Sequence, residues 1–256
     1  MKNRLEGKTA LITGATSGIG EATARHFAEM KTNLVITGRR ENRLKKLSES
    51  LTNEYAIDVA IGAFDIRDRD ACRQFVESLN EMQIDILVNN AGLSRGLDPV
   101  YNADFEDWDE MIDTNVKGLL TMTRLITPQM KERNSGHVIN IGSTAGHEAY
   151  GGGSVYCATK HAVKAITKST KLDLHGTNVR VSLISPGLVE TEFSNVRFHG
   201  DDEKAANVYK GITPLTGNDI AEIVVFVANR PSHVNIMDTI VYTTNQSSAT
   251  TVYRDE

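Results

Sequence analysis

Thr9-Ala-Leu-Ile-Thr13 runs directly into Gly14-Ala-Thr-Ser-Gly-Ile-Gly20, and this junction decides the fold. The first five residues form a short apolar run of strand length. After the glycines, Ile19, Ala22, Phe27 and Met30 recur at helical spacing. A strand that feeds a helix through three glycines is a phosphate-binding turn. Glycine permits the tight backbone, lets a phosphate approach closely, and lets helix and strand pack together. The helix then aims its N-terminal amides and positive dipole end at the same place. The spacing is G-x-x-x-G-x-G rather than G-x-G-x-x-G. Three turn glycines also have a purely structural reading, which the position between strand and helix makes the weaker one.

The same alternation continues outward. Strands are expected at Asn33–Thr37 (closed by Gly38), Val59–Phe64, Ile84–Asn89, His137–Ile141, Val179–Ile184 and within 236–243. Helices are expected at 41–54, from Arg69 to about Met82, within 105–133, from Ser154 to about His175 and near 218–229. Apolar strands separated by helices of this length form a parallel sheet covered on both faces. The expected fold is α/β: a Rossmann-type doubly wound parallel sheet of six to seven strands, with helices on both faces. No repeat, low-complexity tract or linker interrupts it, so residues 1–256 read as a single domain. A polar, non-strand stretch at about 188–215 is expected to cover a site.

Composition narrows the function classes. Hydrophobic residues at 40% and charged residues at 24% suit a globular enzyme. A net charge of −5 argues against a general nucleic-acid or anionic-membrane surface. The N-terminus has no signal-type apolar run, and no stretch reaches the roughly 18 apolar residues of a membrane span. The cytoplasm is therefore the expected compartment, with neither nucleic acid nor membrane as partner. Cys72 and Cys157 lack metal-ligand spacing, and Cys157 reads as packing. The histidines form no cluster, and His137, His161 and His175 read as surface or capping groups. No metal is expected.

Two constellations carry chemistry. Tyr156 and Lys160 are four residues apart and share a helix face, with Ser143 lying 13 residues upstream. A phenol of pKa about 10 works poorly at neutral pH, and an adjacent ammonium favours its anion. Alone, such a pair also suits a solvated helix face. At the end of the second strand stands Gly38-Arg39-Arg40, where an NAD site carries an acid. Two guanidiniums suit a 2′-phosphate, so NADP(H) is the favoured cofactor over a solvated arginine pair.

With TGATSGIG from Thr13, Asp65-Ile66, NNAG at Asn89–Gly92, Asn115 in DTNVKG, Ser143 in IGSTAG, Tyr156 with Lys160, and Pro186-Gly187 followed by Thr191, the chain resembles the short-chain dehydrogenase/reductase superfamily over nearly its whole length. GRR after the second strand, IDILVNNAGL, GHVINIGSTAG and PGLVETEFSNVRF are more narrowly similar to the NADP-dependent 3-hydroxy acid dehydrogenase group, which includes serine or allo-threonine dehydrogenases and malonic semialdehyde reductases. Sulfoacetaldehyde reductases are near relatives of that group. The resemblance implies Tyr156 as general acid and base, Lys160 as its tuner and a ribose contact, and Ser143 as hydrogen-bond partner of the substrate oxygen. It implies that Asn115 joins a water-mediated proton relay to Lys160. The implied cofactor contacts are Gly14, Thr16, Ser17, Gly18, Ile19, Arg39, Arg40, Asp65, Ile66, Asn90, Gly92, Tyr156, Lys160, Pro186, Gly187, Val189 and Thr191. A homotetramer is implied by the resemblance alone.

The expected reaction interconverts a small 3-hydroxy acid and its oxo acid or semialdehyde. Sulfoacetaldehyde reduction is the alternative, and a cofactor-binding regulator without chemistry a third reading, which the intact Ser143, Tyr156, Lys160 and Asn115 disfavour. The partner is a small anionic aldehyde or hydroxy acid. Arg197 is the first choice for its anionic end, Tyr150 the second, and Arg95 also a candidate to face the cleft. A surface role for either arginine, and packing for Tyr150, stay open. The tail from Asn245 to Glu256 is read as either loose or reaching a neighbouring subunit.

Overall fold

A computed structural model describes residues 2–80 and 82–255. Its central sheet holds β1 (Thr9–Thr13), β2 (Asn33–Gly38), β3 (Val59–Ala63), β4 (Ile86–Asn89), β5 (Gly136–Ile141), β6 (Val179–Pro186) and β7 (Asp238–Val241). All pairings are parallel, in the spatial order β3-β2-β1-β4-β5-β6-β7. Strand side chains alternate between faces, and here both faces are apolar because both are covered. Ala10 and Ile12 join Ile36 on one face, under α1 (Gly18–Glu29), α2 (Glu41–Tyr55) and α9 (Gly217–Ala228), with Phe27, Leu44, Ile220 and Val224 buried there. Leu11, Val35, Leu87 and Val138 face the other way, against Cys72 of α3 (Arg69–Ser78) and Met122, Ile126 and Met130 of α5 (Leu119–Glu132).

The chain winds outward from β1 in one direction and from β4 in the other, which leaves a crevice where their C-terminal ends diverge. Ligands bind at such switch points. The remaining helices are α4 (Phe105–Ile112), α6 (Ser154–Asp173), α7 (Phe193–Arg197) and α8 (Asp202–Asn207). A π turn at Asp113–Gly118 joins α4 to α5, so the long helix expected within 105–133 is one run with a wide turn inside it.

Several local expectations differ from the structure. Helix α3 stops at Ser78 instead of near Met82, because Asn80 adopts φ 52° and turns the chain away. The polar stretch at 188–215 contains the two short helices α7 and α8. His137 is buried in β5, contrary to the surface reading, with Nε2 2.9 Å from the Ser182 hydroxyl. Burial holds its pKa well below the ordinary histidine value, so the ring stays neutral. The described part of the tail, residues 245–255, is not loose but fastened to its own chain. Asp255 N–H donates to the Gly211 carbonyl, and Tyr253 N–H to that of Asn245. Among the described residues no helix is long and apolar enough to cross a membrane.

A buried polar chain seats α6 on the sheet. The Asn89 amide donates to Thr123 Oγ1 (3.0 Å) and Asn140 Oδ1 (2.9 Å), and the Asn140 amide donates to Thr167 Oγ1 (2.9 Å). These bonds link α5, β4, β5 and α6 through polar groups with no access to water. Asn140→Leu strands the Asn89 donor in that interior. It is expected to lower unfolding free energy by about 1–3 kcal/mol, seen as a lower urea midpoint at unchanged m-value.

Candidate active site

One cavity of about 700 Å³ opens along the C-terminal ends of β1, β2, β4, β5 and β6. Its floor is the glycine loop. Gly14 sits at φ 68°, and a Cβ there would come within 2.9 Å of the Ala91 Cα. Gly18, at φ 55°, faces the Thr191 side chain. Only glycine meets both demands at each position. Thr13 Oγ1 accepts from the Asn90 and Ala91 amides at 3.1 and 3.0 Å, and the Asn90 side chain donates to the Thr13 and Gly14 carbonyls. The Asn90 amide group thus ties the tips of β1 and β4 together. Ser17 starts α1 without a side-chain cap, leaving first-turn amides at the wall formed by Ser17, Gly18 and Ile19.

At the end fed by β2 and β3, the guanidinium of Arg40 folds over this loop. It donates to Thr16 Oγ1 (2.9 and 3.1 Å) and Ser17 Oγ (2.8 Å). It also pairs with Glu192 at 2.7 Å, and Arg43 pairs with the other Glu192 oxygen at 2.7 Å. Burial pushes the Glu192 carboxyl up, but hydrogen bonds and charge from both arginines outweigh that and hold it below its ordinary range. Arg39 is half-exposed and lies 3.9 Å from Asp65. Asp65 is held mainly by Arg67, at 2.7 Å. Sequence reasoning missed Arg43 and Glu192. The available signal for Arg43 was its place one helical turn after Arg40. The donors fit the expected dinucleotide: a glycine cradle for a pyrophosphate, then three arginines for a further phosphate.

Tyr156 and Lys160 meet the middle of the cavity from α6, and Ser143 from the end of β5. All of α6's first turn follows Gly153, whose missing Cβ leaves room for the Tyr150 ring. Lys160 Nζ donates to the Ile141 carbonyl at 3.0 Å and lies 5.9 Å from the Tyr156 ring centroid. Burial pushes its pKa down to about 8. The expected lowering of Tyr156 by Lys160 is not the dominant effect. Burial raises the phenol above its ordinary value, and the opposing influences come from the Arg197 charge first and the Ser143 hydroxyl second.

Asn115 and Arg95 are the sequence-nominated residues off the cavity wall. The Asn115 side-chain amide donates to the Leu93 carbonyl (2.8 Å) and Thr159 Oγ1 (3.1 Å), and its oxygen accepts from Leu93 N–H (2.8 Å). The side chain is engaged in fixing the loop after β4. Both amide hydrogens are used, and the oxygen keeps one acceptor site.

The third region is roofed by 188–215. The Arg197 guanidinium lies 5.1 Å from the Tyr156 ring centroid and 5.2 Å from that of Phe193, and its Nε is buried with no partner. Tyr150 stands beside it. Burial pushes the Tyr150 phenol up to about 12 even though Arg197 acts to lower it. Arg95, by contrast, does not face the cleft, because Glu110 and the Val196 carbonyl hold its guanidinium. The tail supplies walls that the sequence did not disclose. Gln246 Oε1 accepts from Leu188 N–H at 3.0 Å, and Ala249, Thr250 and Arg254 border the opening.

Comparison with known proteins agrees with this geometry. A family model described as short chain dehydrogenase matches residues 8–202. An NADP-dependent 3-hydroxy acid dehydrogenase from Salmonella typhi is 50% identical over 242 residues, covering 93% of this chain and 96% of the relative. One from Schizosaccharomyces pombe is 44% identical over 257 residues, covering 99% of each. A solved structure of a serine dehydrogenase in closed form, complexed with NADP+, superposes with a TM-score of 0.90 at 47% identity, covering 97% of this chain and all of that one.

The Lys160 environment makes a signed stability prediction. Folding lowers its pKa from 10.5 to about 8, so between those values the unfolded chain binds more protons. Stability therefore rises with pH across that window and carries the full desolvation penalty below it. Relative to Lys160→Met, the native protein is expected to gain about 3 kcal/mol of unfolding free energy between pH 8 and 10.5, as measured by urea titration at each pH.

Proposed function

This chain belongs to the short-chain dehydrogenase family, and we propose that it is an NADP(H)-dependent oxidoreductase interconverting a small 3-hydroxy acid and the corresponding oxo acid or semialdehyde. The observation that carries the substrate class is Arg197. It is a guanidinium with a buried, unpartnered Nε, stacked within 5.1 Å of the Tyr156 ring, inside an otherwise largely apolar end of the cavity. A partly buried cation beside the reacting group calls for an anion on the substrate. Its distance from Tyr156 suits a molecule with only a few atoms between carbonyl and charge.

Gly14, Thr16, Ser17, Gly18 and Ile19 would hold the pyrophosphate, and Arg39, Arg40 and Arg43 the 2′-phosphate. Asp65 and Ile66 would border the adenine, and Asn90 and Gly92 the adjoining ribose. Pro186, Gly187, Val189 and Thr191 would cover the nicotinamide. The cofactor, when bound, supplies or accepts the hydride.

The chain's own residues handle the proton and the orientation. In reduction, the Tyr156 O–H donates its proton to the substrate oxygen as that oxygen gains negative charge. The Ser143 hydroxyl donates a hydrogen bond to the same oxygen. In oxidation the Tyr156 oxygen takes the proton back. Arg197 favours the phenolate at both ends of the cycle, and Lys160, titrating near neutral pH, can return a proton to it. Phe193 and Val196 exclude water above the ring, and the Asn115 amide keeps the Leu93 loop in place beneath it. Cytoplasmic action as a homotetramer is part of this proposal and is tested by size-exclusion chromatography with light scattering.

A panel of short aldehydes with NADPH and NADH tests the reading. Malonic semialdehyde is expected to be turned over with NADPH in preference to NADH, and sulfoacetaldehyde less efficiently. Tyr156→Phe is expected to lower kcat by about 10²–10⁴-fold while the fold and NADPH binding persist. Arg197→Ala is expected to raise KM about 10- to 100-fold for carboxylate-bearing substrates, the loss of one charge-assisted hydrogen bond, and to change KM little for a neutral aldehyde of equal length. Equal effects on both substrates remove the assigned role.

A further inference from the structure

Helix α7 carries Arg197 at its last position and is only five residues long. A helix that short has no stability of its own. Something outside it must set where the Arg197 guanidinium points. Its N-terminal side is fastened by side chains within the cover: Phe193 N–H donates to Thr191 Oγ1 (3.2 Å), and the Ser194 hydroxyl meets the Tyr209 hydroxyl (2.7 Å). Its C-terminal side is fastened to a different part of the molecule. Arg95 Nη1 donates to the Val196 carbonyl at 2.6 Å, and Gly96 N–H donates to the carbonyl of Arg197 itself at 2.8 Å. Both come from the loop that follows β4, next to Leu93, which Asn115 fixes.

Arg95 can hold Val196 only because its own direction is set. Its Nε binds Glu110 of α4 at 2.7 Å, and both side chains are less than one-fifth exposed. Burial pushes the Glu110 carboxyl up, and the hydrogen bond and charge of Arg95, with the charges of Arg67 and Arg39, override this and hold it below its ordinary range. Glu110 also faces Arg67 at 3.5 Å and Arg39 at 3.7 Å. The carboxylate therefore keeps cationic neighbours if Arg95 is removed.

The geometry points to Arg95 as a positioning residue for the substrate-binding arginine: the Glu110–Arg95–Val196 chain sets Arg197 over Tyr156. Arg95 does not border the main cavity, so it acts on substrate only through the backbone it holds. The inference rests on the anion-binding reading of Arg197 given above. A guanidinium suits this task because one planar fork satisfies a carboxylate with one edge and a carbonyl with another. Lysine offers a single point of attachment.

The test compares Arg95→Met, Arg197→Ala and the double variant, each with a carboxylate-bearing aldehyde and a neutral one of equal length. Arg95→Met is expected to raise KM about tenfold for the anionic substrate, with KM for the neutral substrate within twofold and kcat lowered by the same factor for both, because Arg197 also acts on Tyr156. In the double variant the two losses are expected not to multiply, since the second removes nothing that the first left in place. Equal changes in KM for both substrates, or KM losses that multiply, overturn the proposal. If Arg95→Met does not yield folded protein, Arg95→Lys takes its place. It is expected to show the same selective rise in KM, smaller in size, and no selectivity there overturns the proposal equally. The Arg197→Ala arm separates the two claims. If it is unselective, the substrate reading fails. If it is selective while Arg95→Met is not, only the positioning role fails.

Discussion

Two ionisable groups one helical turn apart, Tyr156 and Lys160, are both taken out of water, and the rest of the site is arranged around that desolvation. Burial moves the two in opposite directions, raising the phenol and lowering the ammonium, because in each it disfavours the charged form. Their proton affinities are thereby pushed toward mismatch. For the phenol this is opposed in part by a second cation, Arg197, arriving from a different part of the chain, and the phenol stays above its ordinary value. The site is therefore incomplete without the cover over it. The cover does more than exclude water, since it carries the charge that favours the phenolate.

The dependence reaches back into the fold. Lys160 and Tyr156 are placed by α6, and α6 is seated by the Asn89–Asn140–Thr167 chain across β4 and β5. The glycine loop is placed by Thr13 and Asn90, which close the tips of β1 and β4 over the crevice. These polar contacts lie at the strand ends and between layers, while the apolar clusters on the two sheet faces supply the bulk of the burial. Layer packing sets the overall frame and the buried amides set the angles at which functional groups enter the cavity.

Much of this was legible in the chain because it is local. Strand and helix periods, the glycine turn and the Tyr156–Lys160 spacing are properties of neighbouring residues, and the structure gathers every nominated site residue except Asn115 and Arg95 along one cavity. What escaped is long-range. Glu192 meets Arg40 across 152 positions, and Arg95 meets Val196 across 101. Neither pairing has a sequence period to betray it. His137 looked like a surface group because a histidine in a short apolar run gives no sign of its partner, and Ser182 lies on the next strand. The source of the phenol's tuning was misjudged for a similar reason. Lys160 is visible four residues away, whereas the approach of Arg197 exists only after folding.

The cover over the cavity is fastened at two points of different physical character. The Glu192 carboxylate bridging Arg40 and Arg43 lies near the surface, with each side chain more than two-fifths exposed. The Arg95 clasp is largely dry. Dissolved ions weaken attraction between exposed charges, over a screening length that shrinks to roughly 3 Å at molar salt, and act far less on a shielded one. Rising ionic strength thus weakens the Glu192 fastening more than the Arg95 one. The edge beside the glycine loop is the salt-sensitive one, while the edge beside Tyr156 keeps its shape.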